Sequence, residues 1–240
     1  AEFMDPKILA GLGLESHGNS DGKKTAPSVI SSHERDQRIR NTYAMVDLID
    51  QGIGKMLSAL EETGELDNTV IVFLSDHGEL MGDHGTWLKG PFFYDGLVQT
   101  PLLIRAPGRT GTETDALVSS IDLFPTCCEL LNIPVPYQCD GVSQTPAYDG
   151  STPRTECLIE YRNGYLSNDD YTLVYVDKDY KFSQDQNGEF EMTDRKQDPE
   201  ENVNILANGQ NPELLNEYRS KLLQMLLSTA SRFPKQYCHA

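Results

Sequence analysis

The sequence predicts an α/β fold in which helices flank a partial sheet, followed by a small C-terminal antiparallel sheet packed on a helix. Three observations predict it. A long amphipathic helical pattern runs directly into the apolar, β-branched run "NTVIVFLSD" (68–76). A second such run, "TPLLIRAPG" (100–108), is followed by the helical "IDLFPTCCELLNIP" (121–134). From about residue 150 the pattern changes to aromatic and β-branched runs separated by polar turns, and then to a final amphipathic helix.

Each element has a local cause. "SSHE" offers a capping box, Ser31 with Glu34 three residues on. Ile39, Tyr43, Val46, Ile49, Ile53, Met56 and Leu60 then recur at helical spacing until Gly64 supplies a stop. The continuous apolar character of Val70–Leu74 predicts a central strand covered on both faces, because a strand with one wet face alternates. In the next helix Pro125 stands in the first turn, where its missing N–H costs nothing, and Pro134 lies beyond the end. "ECLIEYRNG" and "DDYTLVYVDKDYKFS", with an Asp-Lys-Asp turn, predict an antiparallel hairpin. In "NPELLNEYRSKLLQMLLSTASRF", Asn211 is the expected cap and Pro212 the first helical residue. Leu214, Leu215, Tyr218, Leu222 and Met225 line the side expected to pack on the small sheet.

The domain reading is a vector-derived scar and flexible leader over 1–33, an α/β part over 34–150 and a small α+β subdomain over 151–240. With 240 residues, 38% hydrophobic, the chain can bury a substantial core. A net charge of −17 without a clustered basic patch argues against nucleic acid and anionic membrane surfaces as partners. No apolar run approaches the roughly 20 residues of a bilayer span. The five cysteines, odd in number and without C-x-x-C spacing, read as free thiols.

Chemistry concentrates in "SDHGELMGDHGTWLKG" (75–90). Asp76 and His77 follow directly on a predicted strand, and open α/β sheets place ligand sites outside the carboxyl ends of their strands. A carboxylate oxygen and a neutral imidazole nitrogen together make half of an ordinary divalent-metal shell, provided Gly78 lets the backbone leave strand geometry so that both turn toward one point. Taken singly, Asp76 reads first as a turn or helix cap, His77 and His84 as loop histidines and Lys89 as a solvated lysine, while Trp87 could simply be packing. Their combination in one glycine-bracketed loop favours a site.

The stretch from Tyr43 to Gly108, containing "VIVFLSDHGELMGDHGTWLKG", resembles the C-terminal half of the sulfatases, in the alkaline phosphatase superfamily. The similarity continues through "LVSSIDLFPTCCELLNIPVP" and into "EFEMTDRKQDPEENVNILA". The resemblance implies a partial sulfatase-like sheet, Asp76 and His77 as metal ligands, and Lys89 as a contact to the sulfate oxygens. His84 is implied as a candidate for substrate contact or proton transfer. The implied metal is calcium, with manganese or zinc as alternatives, and the implied substrate a sulfate ester. In such enzymes the nucleophile is a formylglycine made from a C-x-P-x-R or S-x-P-x-R motif. Neither string occurs here; "STPRT" from Ser151 has its arginine one position early.

The expectation is therefore the C-terminal portion of a sulfatase, inactive alone and completed by a missing N-terminal half, or otherwise self-associating through uncovered strand edges. The alternatives are a fragment of a phosphonate or phosphodiester hydrolase of the same superfamily and a non-catalytic binding or interaction module.

Overall fold

The Ser31 hydroxyl accepts a hydrogen bond from the Glu34 backbone N–H at 3.2 Å, and the Glu34 carboxylate returns one to the Ser31 N–H at 3.0 Å. In the computed structural model this capping box opens a 31-residue helix, α1 (Ser32–Glu62). The structure describes residues 31–87, 89–137, 139–163 and 170–230. Most of the expected leader lies outside them, while Ser31 to His33 form the start of α1. The described residues divide into two compact units, those within 1–69 and 73–103, and those within 70–72 and 104–240.

In the first unit α1 ends at Gly64, whose φ of 73° lies in the left-handed region that glycine enters freely. The apolar positions fall on a helix as expected, but no residue of α1 is buried, and Tyr43, Val46, Ile49 and Met56 are all more than half exposed. The strand β1 (Ile71–Leu74) forms where expected and pairs with β2 (Leu102–Arg105) in a two-stranded sheet. Its double coverage does not: Phe73 and Leu74 are exposed, as is Leu103 in β2. A β-branched run records a demand for cover; it does not contain the surface that supplies it. Between the strands, a loop leads into the single-turn helix α2 (Asp95–Val98), anchored by the buried Leu97 and Leu80.

In the second unit α3 (Leu123–Leu130) buries Pro125, Thr126 and Cys128. Just before it, the fully buried Asp122 accepts from the backbone N–H groups of Ser119 and Val142, the amide of Gln144 and the guanidinium of Arg154. This hub ties the start of α3 to the segment 20 to 32 residues further on. Gly141 is needed beside it, since a Cβ there would stand 2.1 Å from the Ile121 carbonyl oxygen.

The C-terminal sheet is a four-stranded antiparallel meander of β3 (Glu156–Asn163), β4 (Asp170–Asp177), β5 (Tyr180–Asp185) and β6 (Phe190–Asp194). The expected hairpin is β4–β5, with Val176 opposite Lys181 and Tyr175 opposite Phe182. The helix α4 (Pro212–Ala230) packs on it, and Tyr175, Phe182, Met192, Leu206, Tyr218 and Leu222 form one core cluster. Burying each such large side chain stabilises by about 1.5–3 kcal/mol, so this cluster accounts for the subdomain's cohesion. Val174 and Val176 on the opposite face of β4 are also buried, so β4 is covered on both sides, as are β5 at Lys181 and Phe182 and β6 at Met192 and Thr193. The Asp-Pro-Glu-Glu segment coils after β6 and buries Glu201 against Lys181 of β5, each side chain 6% exposed.

Asn211 does not cap α4 with its side chain as expected. Its amide nitrogen donates to the Ile205 carbonyl, while its own carbonyl accepts from Leu215 N–H. The four described cysteines, Cys127, Cys128, Cys139 and Cys157, are free thiols. Among the described residues no helix is long and apolar enough to cross a membrane.

Candidate metal and anion site

β1 ends at Leu74, and the next three residues turn its tip into a site. The Ser75 hydroxyl donates to the His77 carbonyl at 2.8 Å, and the His77 backbone N–H donates to Asp76 Oδ1 at 2.9 Å. These two local bonds reverse the strand's alternation, so adjacent side chains lie on one side. The other Asp76 oxygen, Oδ2, is then 3.6 Å from His77 Nε2. Lys89, 12 residues on, places its Nζ 2.9 Å from the same nitrogen. Three of the four candidate residues therefore meet at one imidazole nitrogen.

The protonation states follow from donor and acceptor rules. His77 Nδ1 lies 2.8 Å from the Gly78 carbonyl oxygen, which can only accept, so Nδ1 carries the proton. Nε2 of the neutral ring is left with its lone pair turned to Lys89. The Asp76 carboxyl is held below the ordinary carboxylate range, first by the hydrogen bond from the His77 backbone N–H, next by electrostatic attraction to the adjacent His77 ring, and least by the charge on Lys89. A carboxylate oxygen and an imidazole lone pair facing each other at 3.6 Å repel unless positive charge lies against them. That spacing suits two donors sharing a divalent ion, whose bonds to such atoms run roughly 2.0–2.5 Å. The pair therefore fits a cation. Among the described residues no group of three or more His, Cys, Asp or Glu side chains is arranged to hold a metal.

Gly78 acts differently from the expectation. Its φ is not left-handed; instead its backbone lies flush against α2, where an added Cβ would come 2.0 Å from the Gly96 carbonyl oxygen. His84 is not joined to the trio. It sits at φ 50°, ψ 26° in the turn Gly82–Thr86, and its ring stacks on Tyr94 with centroids 3.6 Å apart and planes within 5°. Phe92 continues this aromatic row beside Tyr94. Trp87 packs over Gly82, with the Arg38 guanidinium of α1 5.3 Å above its ring. Tyr94, Gly96 and Leu97 are the supporting residues that reading the sequence missed. The tight pair Gly78 and Gly96 was the available signal for a close backbone crossing.

The family model described as Sulfatase matches residues 6–133, more than half of the chain, with the strand tip and its loop inside the match. The chain belongs to the sulfatase family. A second model, described as N-sulphoglucosamine sulphohydrolase, C-terminal, matches residues 82–228. The N-acetylglucosamine-6-O-sulfatase of Bacteroides thetaiotaomicron is 30% identical over 224 residues, covering 85% of this chain and 38% of the relative. A structure solved in complex with its substrate D-glucosamine-2-N,6-O-disulfate superposes with a TM-score of 0.69 at 28% identity, covering 86% of this chain and 43% of that one. The phosphonate monoester hydrolase of Agrobacterium radiobacter gives a TM-score of 0.77 at 28% identity, covering 87% and 45%. The chain spans less than half the length of each of these three proteins.

Proposed function

We propose that this chain carries half of the metal site and the sulfate-binding lysine of a metal-dependent sulfuric ester hydrolase, and that it is inactive alone. The observation that carries this reading is the convergence of Asp76 and Lys89 on Nε2 of His77. Asp76 Oδ2 and His77 Nε2 are the two ligands once the Lys89 ammonium gives up its 2.9 Å contact with Nε2 to the cation, and calcium is the first candidate, with manganese or zinc as alternatives. A bound cation supplies positive charge against the oxygens of a sulfate ester. Lys89, whose ammonium already lies beside that point, is the second source of charge and contacts the sulfate directly. His84, stacked on Tyr94, stands as the candidate for substrate contact or proton transfer.

The nucleophile belongs to polypeptide outside these residues, as a formylglycine, since no C-x-P-x-R or S-x-P-x-R string occurs in the 240 residues. The exposed apolar positions of α1 and of β1 and β2 support a missing N-terminal half, or a second copy of the chain, as the partner that covers them. We keep the domain reading of 34–150 as the sulfatase α/β part and 151–240 as the C-terminal subdomain. Phosphoryl transfer is the second reading, favoured by the likeness to the phosphonate monoester hydrolase.

The test is reconstitution with sulfated glucosamine and an aryl sulfate as substrates. The expected result is no turnover by the chain alone, and sulfate release on mixing with the N-terminal half of a sulfatase that carries C-x-P-x-R. That release should be lost in Asp76→Ala, His77→Ala and Lys89→Met. Turnover by the chain alone, or by a mixture indifferent to the three substitutions, contradicts the proposal.

A further inference from the structure

We propose that the Gly78 peptide, clamped against α2, sets the ring tautomer of His77, which makes Gly78 a positioning residue for Nε2. The inference rests on the reading of Asp76 and His77 as a cation half-site. Two contacts define the tautomer. A carbonyl oxygen cannot donate, so the 2.8 Å contact from Gly78 O requires a proton on Nδ1. An ammonium cannot accept, so the 2.9 Å contact from Lys89 requires a bare Nε2. Both demand the same neutral ring.

Only one of the two contacts is held rigidly. Lys89 is exposed and its ammonium hangs on a flexible stem. The Gly78 peptide has no such freedom. The Gly78 N–H, one peptide unit before the carbonyl that meets Nδ1, donates to the Leu97 carbonyl at 2.7 Å, and Leu97 is itself buried. A Cβ on Gly78 would meet Gly96 O at 2.0 Å, Gly96 C at 3.0 Å and Leu97 Cα at 3.1 Å, all of them backbone atoms of α2. Backbone cannot swing aside as a side-chain end can, so any residue but glycine pushes the loop off α2 and carries the Gly78 carbonyl away from Nδ1. Gly96 differs: a Cβ there would meet only side-chain atoms, Asp83 Oδ2 at 3.3 Å and Leu80 Cδ2 at 3.9 Å. The hydrogen bond behind a ligating histidine commonly sets its orientation and basicity, and its loss weakens metal binding about 10- to 100-fold.

The experiment is long-range proton–nitrogen correlation NMR of the full 240-residue chain near pH 8, with the His77 ring assigned by difference against His77→Gln, followed by Mn²⁺ titration. The expected wild-type ring has Nδ1 protonated and Nε2 bare, and Mn²⁺ broadens it. Lys89→Met should leave that tautomer unchanged. Gly78→Ala should shift the ring toward the Nε2–H form and weaken Mn²⁺ broadening by about 10-fold or more, with far-UV circular dichroism unchanged; Gly96→Ala should do neither. An Nε2–H ring in the wild type, or a switch caused by Lys89→Met and not by Gly78→Ala, overturns the proposal. If Gly78→Ala does not fold, the wild-type and Lys89→Met spectra still decide it. An Nδ1–H ring that Mn²⁺ never broadens would sink the cation reading and leave the tautomer device standing. An Nε2–H ring that Mn²⁺ still broadens would do the reverse.

Discussion

Arg154 reaches back 32 residues to grip Asp122 with two guanidinium nitrogens, Nε donating to Oδ2 at 2.7 Å and a terminal nitrogen donating to Oδ1. The Asp122 side chain is fully buried and that of Arg154 is 13% exposed. Removing one member of such a pair leaves the other charged and desolvated. Asp122→Ala also abandons the N–H groups of Ser119 and Val142 and the Gln144 amide. The loss should reach about 3–5 kcal/mol, read as a fall in the urea midpoint. Asp122→Asn, which keeps the shape and one acceptor, should cost less.

The C-terminal sheet should be sensitive to alkali. Burial pushes the Cys157 thiol up to about 11 from an ordinary 9.0. Burial first, and then hydrogen bonds to carboxylates, raise Tyr175 beside Glu156 and Tyr218 beside Asp177. A folded pKa above the unfolded value means that the folded state holds its proton more tightly. The associated stability is whole below the unfolded pKa and is lost as pH rises through the folded one. For Cys157 alone the window runs from about pH 9 to pH 11, and the loss amounts to roughly 2–3 kcal/mol. Urea unfolding at a series of pH values should show stability flat up to about pH 9 and falling above it, with a shallower fall in Cys157→Ala. Cys157 should also resist alkylation at pH 8 in the folded chain and react once urea unfolds it.

α1 carries Tyr43, Val46, Ile49 and Met56 uncovered along one helix. The isolated chain should associate as its concentration rises, by sedimentation or light scattering, and Val46→Glu with Met56→Glu should shift it toward monomer. Because none of these residues is buried, the double substitution should leave thermal stability nearly unchanged, within about 0.5 kcal/mol. A monomer at all concentrations would contradict this use of the face.

Phe182 is the fully buried centre of the core cluster, so Phe182→Ala should destabilise the C-terminal subdomain by about 3–5 kcal/mol. Near-ultraviolet dichroism of Tyr175 and Tyr218, whose rings meet edge to face at 5.7 Å, reports that loss directly.

Much of this was legible in the residues. Ser31 and Glu34 announced the start of α1 because a capping box is a local structure, complete within four positions. The β4–β5 hairpin was legible for the same reason, its Asp177 oxygen accepting from the N–H groups of Asp179 and Tyr180. β6 was not read as a strand, although Asn187-Gly188, with Gly188 at φ 86°, marked the turn before it. The coverage of β1 was misjudged because its four residues say nothing of what packs on them. Asp76, His77 and Lys89 could be grouped by loop and chemistry, yet their meeting depends on the path of the 11 residues between His77 and Lys89. The Asp122 hub stayed hidden because its partners Gln144 and Arg154 are 22 and 32 residues away.

The proposed site makes Asp76 and His77 two ligands of one divalent cation. Calorimetric titration of the chain with Mn²⁺ and Ca²⁺, alongside Asp76→Ala and His77→Ala, tests it most directly. The expected result is weak, saturable binding, with a dissociation constant of about 10⁻⁴ M or above because two protein ligands leave most of the shell to water, and its disappearance in both variants. Binding that survives both substitutions, or no binding by the wild-type chain at millimolar cation, contradicts it.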